Sequence, residues 1–315
     1  MIVHGGTRVI DVLRVVLVRN WAVVLLVLVI EFGAWGIHEM WPHLKTSVFS
    51  AGAVGVLATV VGVFVAFRFN EAYGRWWEAR ILWGGMVNVS RTFARQVTTL
   101  ITVDRVPNLG SPQAARAAQR DLVYRHLAYI NALRLSLRRQ TVLPEVEVFL
   151  DPQEAIRVRS ANNVPTQLVQ LQGEHLTSLF GTKTSQHVLL RHLDESLTQI
   201  VDLQGGMERI KNTAFPDRVI AITKLLVWTV AILVAVAFIE PEQGILWLEF
   251  VAVLFIVLSF MLVKQRGEEL NDPFENKPND TPMTALCRTI EIDLRQQLRE
   301  TDVPAPLEPV NGVLM

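Results

Sequence analysis

The stretch FVAFRFNEAYGRWWEARILWGG, residues 64–85, passes from an apolar run into a charged and aromatic one. The apolar run, Thr46–Phe67, contains no ionisable side chain, and roughly 20 apolar residues are enough for a helix to cross a bilayer core. No proline interrupts the transition, so nothing in the sequence ends a helix at Phe67. The pattern therefore predicts a membrane-spanning helix that continues into water beyond Arg68.

Three further apolar stretches extend this prediction to a membrane protein with four spans. They cover residues 21–37, 219–239 and 245–263, with Glu31, Lys224 and Glu249 as single interruptions. All four reach spanning length, which favours membrane helices over the buried core helices of a soluble protein. Short connectors over residues 38–45 and 240–244 pair the spans into two hairpins.

Basic residues are distributed unequally between the two ends of these hairpins. Arginines precede the first span and follow the second, and Lys264 and Arg266 follow the fourth, whereas the short connectors carry only Lys45. By the positive-inside rule, both termini and the polar middle block lie in the cytoplasm of a multi-pass protein of the cell membrane.

The polar remainder of the chain is predicted to be helical. Apolar side chains at helical spacing predict helices from Pro112 onward and over residues 151–159, 165–179, 185–211 and 283–300, and no segment alternates for long in the manner of a strand. The expected fold class is an all-α membrane protein, with residues 303–315 as a loose tail. Its parts are residues 1–67 with the first hairpin, the cytoplasmic region 68–217, the second hairpin 218–264, and the C-terminal loop, helix and tail 265–315.

Composition argues against several classes of function. Thirty Lys plus Arg balance thirty Asp plus Glu, which does not suit a nucleic-acid binder. The single cysteine, Cys287, excludes an intramolecular disulfide or a thiolate cluster. We find no phosphate-binding loop, no nucleophile–base pair and no histidines at metal-ligand spacing, so we expect no enzyme, no cofactor and no metal. The pair Gly205–Gly206 marks either a helix break or tight packing.

The second span has two unusual rows of side chains. Small residues share one side of it: Gly52, Gly55, Thr59, Gly62 and Ala66. Such residues let membrane helices approach closely. Beside them a second row recurs at spacing four: Thr59, Val63, Phe67 and Glu71. Two interpretations fit equally. The helix packs within a single four-helix bundle, or copies of it surround an axis and present the second row to a central ion path.

Several motifs resemble the bestrophins, in particular their bacterial homologues. They are FRFNEAYGRWWEARILWGG, QGGMERIKNTAFP, PFEN and TALCRTIEIDL, and the resemblance covers about residues 5–300. It implies a homopentameric channel of the chloride-channel type, in which five copies of the chain surround one pore in the lipid bilayer. Monovalent ions would pass passively through a neck in the membrane and a second constriction in the cytoplasm.

The resemblance also implies roles for particular residues. The family's neck falls on Thr59, Val63 and Phe67, and the cytoplasmic constriction falls on Val188. The charged and aromatic run is interpreted as an assembly signature with interfacial tryptophans and salt bridges between protomers: Arg75, Trp76, Trp77, Glu78 and Arg80.

The sequence also bears on calcium dependence and on the sign of the permeant ion. Animal bestrophins bind calcium through acidic residues just after a Pro-Phe pair, but here Asn276, Lys277 and Pro278 occupy those positions, so we expect no calcium activation. Five copies of Glu71 would favour cations if they face the pore. Alternatively, Glu71 pairs with Arg75 at spacing four and is neutralised.

Two other functions remain as alternatives to a channel. One is a non-conducting oligomeric scaffold or accessory subunit. The other is a membrane-bound enzyme, which would need a convergent polar pocket with perturbed titratable groups.

Overall fold

A computed structural model describes residues 14, 17–18, 20–41, 50–181, 183–213, 216–237 and 246–315. In chain order the α-helices are α1 (Trp21–Met40), α2 (Ala51–Leu100), α3 (Pro112–Leu137), α4 (Leu143–Val146), α5 (Pro152–Arg159), α6 (Val164–Leu179), α7 (Thr184–Asn212), α8 (Asp217–Ala237), α9 (Leu246–Leu270) and α10 (Met283–Gln297), with 3-10 turns at Pro107–Leu109 and Glu147–Phe149. The described residues form no strand, only an isolated bridge between Val310 and Val313. The predicted all-α class is confirmed for them.

Three of the polar helices, α3, α5 and α6, begin at residues whose side chains cap the helix. The Ser111 hydroxyl accepts a hydrogen bond from the Ala114 N–H at 3.2 Å, and Pro112 occupies the first helical position of α3. Asp151 accepts from the Gln153 N–H at 2.9 Å at the start of α5. Each cap satisfies an N–H group that the helix itself cannot pair. The predicted starts of α3 and α5 agree with the structure to within a residue.

Helix α2 runs over 50 residues without a break, which corresponds to about 75 Å at the usual rise per residue. It contains both the apolar run that ends at Phe67 and the charged run from Arg68 onward. The predicted continuation of the second span beyond Arg68 is therefore confirmed.

The chain divides into two compact units. The first, here called the membrane unit, comprises the described residues of Gly5–Arg75 and Ala214–Asn271. Its core is rich in valine, and α8 packs against both α1 and α9. Valine has one strongly preferred χ1 rotamer once it is in a helix, so packing the formed helices against each other costs little further side-chain entropy.

Among the described residues, three helical stretches are long and apolar enough to cross a membrane: Gly52–Leu100, Arg218–Ala237 and Phe250–Leu270. A shorter apolar helix covers Trp21–Ile37, where the first span is predicted. The chain is thus a membrane protein. Half of the first predicted connector (residues 42–45), all of the second, and the start of the second span at residues 46–49 lie outside the described residues.

The second unit, here called the helical unit, comprises the described residues of Trp76–Thr213 and Asp272–Met315. Helix α3 is at its centre and packs against α6 and α10. From Leu122 to Leu135 every residue of α3 except Tyr124 and Asn131 is buried, so this part of the helix is surrounded on all sides.

The C-terminal residues are not the loose tail that the sequence predicts. The Ala285 N–H donates to the Met315 carbonyl at 2.8 Å, and Arg288 Nη1 donates to the Ala305 carbonyl at 3.2 Å. The prolines do exclude a helix here, but they carry no information about the backbone and side-chain donors of α10 that bind the segment.

Candidate functional site

The predicted neck row lies on an exposed side of α2. Thr59, Val63, Phe67 and Glu71 are all exposed in the protomer, with Val63 at 51% and Phe67 at 68%. Val65, between them in sequence, is 3% exposed and belongs to the core of the membrane unit. Because side chains two residues apart on a helix point in nearly opposite directions, the row faces away from that core.

The small residues of the second span are mostly open to their surroundings. A Cβ atom built on Gly52 or Gly55 would meet no atom within 4 Å, whereas one on Gly62 would lie 3.6 Å from Cε1 of Phe260. The Thr59 hydroxyl donates to the Gly55 carbonyl at 2.9 Å, which satisfies its proton within the helix. Within one protomer, then, only Gly62 of these glycines is used for close packing.

Val188, the predicted cytoplasmic constriction, lies in the second turn of α7 and is 51% exposed. Leu193 and Leu197 farther along the same helix are buried in the core of the helical unit. The apolar side of α7 therefore turns inward after Val188 and leaves that side chain at the surface.

Part of the predicted assembly signature, residues 75–80, makes contacts within the chain itself. In the helical unit, Trp76 Nε1 donates to the Asn279 carbonyl at 2.8 Å, and Glu78 forms an ion pair with Arg209. These contacts connect the Arg-Trp-Trp run to the ERIKN motif of α7 and to the loop before α10.

The remaining residues of this run differ in their surroundings. Arg75 Nε donates to the Asn271 carbonyl at 3.1 Å within the membrane unit. Trp77 is 50% exposed, and its ring centroid lies 6.1 Å from that of Trp76. Arg80 is partly exposed. The run thus combines side chains bound to their own protomer with side chains that are free to meet another surface.

Two glycines allow α2 and α7 to approach closely. A Cβ atom on Gly85 would lie 3.0 Å from a methyl carbon of Leu203, and one on Gly206 would lie 3.0 Å from a methyl carbon of Leu82. The two contacts are reciprocal, since each helix supplies one glycine and one leucine. Helix α7 runs through Gly205–Gly206, so a helix break there is wrong, and tight packing is confirmed for Gly206.

Charged side chains hold the loop after α9 in place. Lys211 Nζ lies 2.6 Å from Asp272 Oδ2, and the other oxygen of Asp272 accepts from the Phe274 N–H at 3.2 Å. The side chain of Phe274 is completely buried. Lys277 forms an ion pair with Glu275.

Two buried titratable groups belong to the packed interior rather than to a reactive site. Burial lowers the pKa of His126 to about 3, and its Nε2 donates to Ser90 Oγ at 2.9 Å because that hydroxyl in turn donates to the Met86 carbonyl at 2.6 Å. Burial also raises the pKa of Cys287 to about 12. At neutral pH the imidazole and the thiol are therefore both uncharged.

A polar cavity of about 770 Å³ lies between α3, α5 and α6. Its buried Arg125 pairs with Glu154 and donates to Gln172 Oε1 at 2.8 Å and to His175 Nδ1 at 3.2 Å. Burial, followed by the charge of Arg125, lowers the pKa of His175. In the described part of the chain, no three His, Cys, Asp or Glu residues lie close enough to hold a metal ion.

Sequence reasoning missed the ion pairs that join these segments. Lys211–Asp272 and Arg209–Glu78 connect residues 61 and 131 positions apart. The only sequence signal for them was the presence of charged side chains inside motifs that otherwise carry apolar and aromatic residues.

Comparison with known proteins gives a consistent result. The family described as bacterial and fungal bestrophin proteins matches residues 6–296. The voltage-dependent anion channel-forming protein YneE of Salmonella typhi is 30% identical over 269 residues, covering 85% of this chain and 84% of the relative. The voltage-dependent anion channel-forming protein mll4386 of Mesorhizobium japonicum is 30% identical over 260 residues, covering 82% and 79%.

Among solved structures, the chain is similar to a bacterial bestrophin homologue from Klebsiella pneumoniae that was solved by zinc anomalous phasing. The TM-score is 0.77 at 22% identity, and the match covers 90% of this chain and 99% of that one. At this identity the likeness supports the fold and carries no argument about residues.

Proposed function

This chain belongs to the bacterial and fungal bestrophin family, and from that premise we propose that it forms a homopentameric channel for monovalent ions around one central pore. The family and its relatives, named as anion channel-forming proteins, make it a channel rather than an enzyme. The observation that carries the proposal is the exposed row Thr59, Val63, Phe67 on α2, which faces away from the protomer's own core.

The neck of the pore is formed by this row. Five copies of Val63 and Phe67 would line an apolar constriction that is poorly hydrated. Ion flow would therefore depend on whether water fills the neck. Thr59 adds a hydroxyl oxygen at the outer level, which makes that level wetter than the two below it. The open glycines on the adjacent side, Gly52 and Gly55, support close approach of neighbouring copies of α2.

A second exposed row of side chains on α2 is suited to contacts between neighbouring protomers. Tyr73, Trp77 and Ile81 recur at spacing four and are 43%, 50% and 57% exposed. Aromatic residues are enriched at protein interfaces because they combine a large apolar area with a polar atom. We assign this row to the interface between protomers, whereas Trp76 and Glu78 support the fold of a single protomer.

In the cytoplasm, Val188 forms the second constriction. Its exposure of 51% on an otherwise inward-turning helix supports this role, because an apolar side chain at a pore must leave the protomer core. Both termini lie in the cytoplasm, and the membrane is the cell membrane, as the distribution of basic residues predicts.

No calcium activation is part of this proposal. The loop carboxylates that could bind a cation already have partners: Asp272 with Lys211, Glu275 with Lys277, and Asp280 with the Lys277 N–H at 3.0 Å. Two lysines thus supply the positive charge that a bound metal ion would otherwise bring.

The sign of the permeant ion is the open choice within the proposal. The names of the relatives favour anions. A ring of five Glu71 carboxylates one turn below Phe67 would instead favour cations. Which effect dominates depends on whether the Glu71 carboxylates face the pore.

Flux through liposomes tests the channel itself. Reconstituted protein should pass monovalent ions, and the Val63→Ala/Phe67→Ala double variant should conduct several-fold faster because the neck is wider and less apolar. Phe255→Ala is the matched control, since Phe255 on α9 is also 68% exposed but lies on no proposed pore row. A stable monomer without flux would overturn the proposal. An oligomer that does not conduct, with no effect of the neck variant, would support the scaffold alternative.

A further inference from the structure

Three basic side chains from three helices of the membrane unit converge at one end of its apolar helices. Nζ of Lys224 on α8 and Nζ of Lys264 on α9 each lie 3.9 Å from the same atom, Oε1 of Glu268. Arg68 of α2 and Lys264 line one narrow crevice between α2, α8 and α9. Arg68, Lys224 and Lys264 are here called the basic cluster.

The nearby carboxylates only partly neutralise the basic cluster. Oε1 of Glu268 is buried and accepts no hydrogen bond in the described part of the chain, since 3.9 Å is longer than the usual nitrogen–oxygen hydrogen bond of about 2.7–3.2 Å. Glu269 pairs with Arg266 at 2.7 Å instead. Even if Glu71, one turn after Arg68, is counted with Glu268, the three basic residues outnumber the two carboxylates, so the cluster keeps a positive charge.

The basic cluster lies where the apolar stretches end. Arg68 is the first ionisable residue after the uncharged run at residues 46–67, and Lys264 directly follows the apolar stretch that ends at Val263. Lys224 stands among apolar residues near the start of α8, and its side chain is 51% exposed. A bilayer around these helices would therefore bring its headgroups to the level of the cluster.

Exposed apolar side chains lie next to these basic groups. On α8, Ile222 and Leu225 are close to Lys224 in sequence and are 51% and 67% exposed, and Val263 beside Lys264 is 40% exposed. This combination suits a ligand that carries an anionic group at one end and hydrocarbon at the other. A free phosphate ion would use only the basic groups.

We propose that the basic cluster binds the phosphate group of an anionic phospholipid of the cytoplasmic leaflet, whose acyl chains lie along the exposed apolar side of α8. The inference rests on the proposed cytoplasmic position of these helix ends and not on ion conduction. The bound lipid would connect α2, which carries the proposed neck, to both helices of the second hairpin.

The crevice admits one phosphate oxygen rather than a whole headgroup. Its volume is about 10 Å³, roughly the space of one water molecule, so the rest of the headgroup must stay at the surface near the exposed ammonium group of Lys224. The Thr223 hydroxyl in the lining already donates to the Val219 carbonyl at 2.7 Å. Recognition of the phosphate therefore depends on charge-assisted hydrogen bonds from the guanidinium and ammonium groups, each of which has several N–H donors.

Native mass spectrometry of the full chain in detergent tests the proposal without any measurement of ion flux. Dioctanoyl phosphatidylglycerol should bind several-fold tighter than dioctanoyl phosphatidylcholine, which has the same chains and a phosphate but no net charge. Lys224→Gln should weaken the binding of phosphatidylglycerol about fivefold, the usual effect of one basic residue at an anionic membrane surface. Arg218→Gln is the matched control, because it removes the same charge from an exposed position on a different side of the same helix.

Glu268→Gln should have the opposite effect and tighten the binding several-fold, because it removes the carboxylate that opposes the phosphate. If this variant does not fold, Lys224→Gln and its control carry the test alone.

Four results would overturn the lipid site. They are equal affinity for the two lipids, equal losses in Lys224→Gln and Arg218→Gln, unchanged or weaker binding in a folded Glu268→Gln variant, and displacement of phosphatidylglycerol by an equal concentration of inorganic phosphate. The last result would identify a site for free phosphate instead. None of these measurements depends on conduction, so a failure of the channel proposal would leave them unchanged.

Discussion

The ammonium group of Lys211 lies 2.6 Å from a carboxylate oxygen of Asp272, and the lysine side chain is only 8% exposed. Lys211 is in the last turn of α7, while Asp272 opens the loop that follows α9. The same carboxylate accepts the N–H of Phe274, whose side chain is fully buried. A single ion pair therefore ties the end of one helix to the start of the loop and to its apolar anchor.

Replacement of Lys211 by methionine should destabilise the helical unit. The methionine side chain would still fill the space of the aliphatic part of the lysine, but the Asp272 carboxylate would lose its positively charged partner. Removing one partner of a fully buried pair costs about 3–5 kcal/mol, and because the Asp272 side chain is 30% exposed we expect about 1–3 kcal/mol, seen as a lower midpoint in chemical unfolding. Lys183→Met, at an exposed position before α7, should change the free energy of unfolding by no more than about 0.5 kcal/mol. Equal stabilities for the two variants would show that the pair is not a stabilising contact.

The adjacent glycines of α7 should respond in opposite ways to alanine. At Gly205 a Cβ atom meets nothing within 4 Å, so Gly205→Ala should gain about 0.5–1 kcal/mol from helix propensity. At Gly206 the same atom would lie 3.0 Å from a methyl carbon of Leu82, so overpacking of about 1–3 kcal/mol should outweigh that gain.

The Gly206 effect can be separated from a general intolerance of α7. A Leu82→Ala change in the Gly206→Ala background should restore part of the lost stability, because the methyl groups in conflict are gone. Two alanine variants of equal stability would contradict the close approach of α2 and α7 at this point.

Some features of this structure could be predicted from the sequence and others could not. Apolar length predicted the spans, and Ser111 and Asp151 predicted helix starts, because each depends on residues that are close in the chain. The uninterrupted helix α2 followed from the absence of proline between Phe64 and Gly85. These are local rules. In the described residues, three helices are long and apolar enough to cross a membrane, a shorter one lies at the first predicted span, and both helix starts are observed.

The contacts that connect the motifs could not be predicted in this way. The partner of Glu78 is Arg209, and that of Trp76 is the carbonyl of Asn279, at separations of 131 and 203 residues. No periodicity specifies such pairs, since they depend on how the helices pack. The predicted neck row Thr59, Val63 and Phe67 is a different case. Its position on α2 is observed, but in the proposed pentamer its neighbours across the pore would belong to other copies of the chain.

Stability should fall as the pH drops below the ordinary pKa of histidine. His126 has a folded-state pKa of about 3, against roughly 6.5 in an unfolded chain. Between these values the unfolded state binds a proton that the folded state does not, so stability is complete above about pH 6.5 and is lost toward pH 3. At a pH of about 5.5 the expected loss is about 1.4 kcal/mol.

Comparison with a leucine variant isolates the contribution of this one imidazole. In His126→Leu the pH dependence of unfolding between about pH 7.5 and 5.5 should be shallower by that amount. The Ser90 hydroxyl keeps its bond to the Met86 carbonyl in this variant. His187→Leu, at an exposed position of α7, should leave the slope unchanged, and an unchanged slope in His126→Leu as well would contradict a neutral, buried imidazole.

Glu71 should determine whether the channel prefers cations or anions if its carboxylate faces the pore. It follows Phe67 by one turn on the exposed row of α2, and Arg75, the neighbour at spacing four, directs its Nε to the Asn271 carbonyl. Five carboxylates at one level would attract cations and exclude anions, so Glu71→Gln should move the reversal potential in asymmetric salt toward the anion value. Glu39→Gln, an exposed carboxylate near the end of α1, should leave it in place. A wild-type channel that already prefers anions, with no shift in Glu71→Gln, would mean that Glu71 does not control selectivity and that the pore is anion-selective for reasons outside this row.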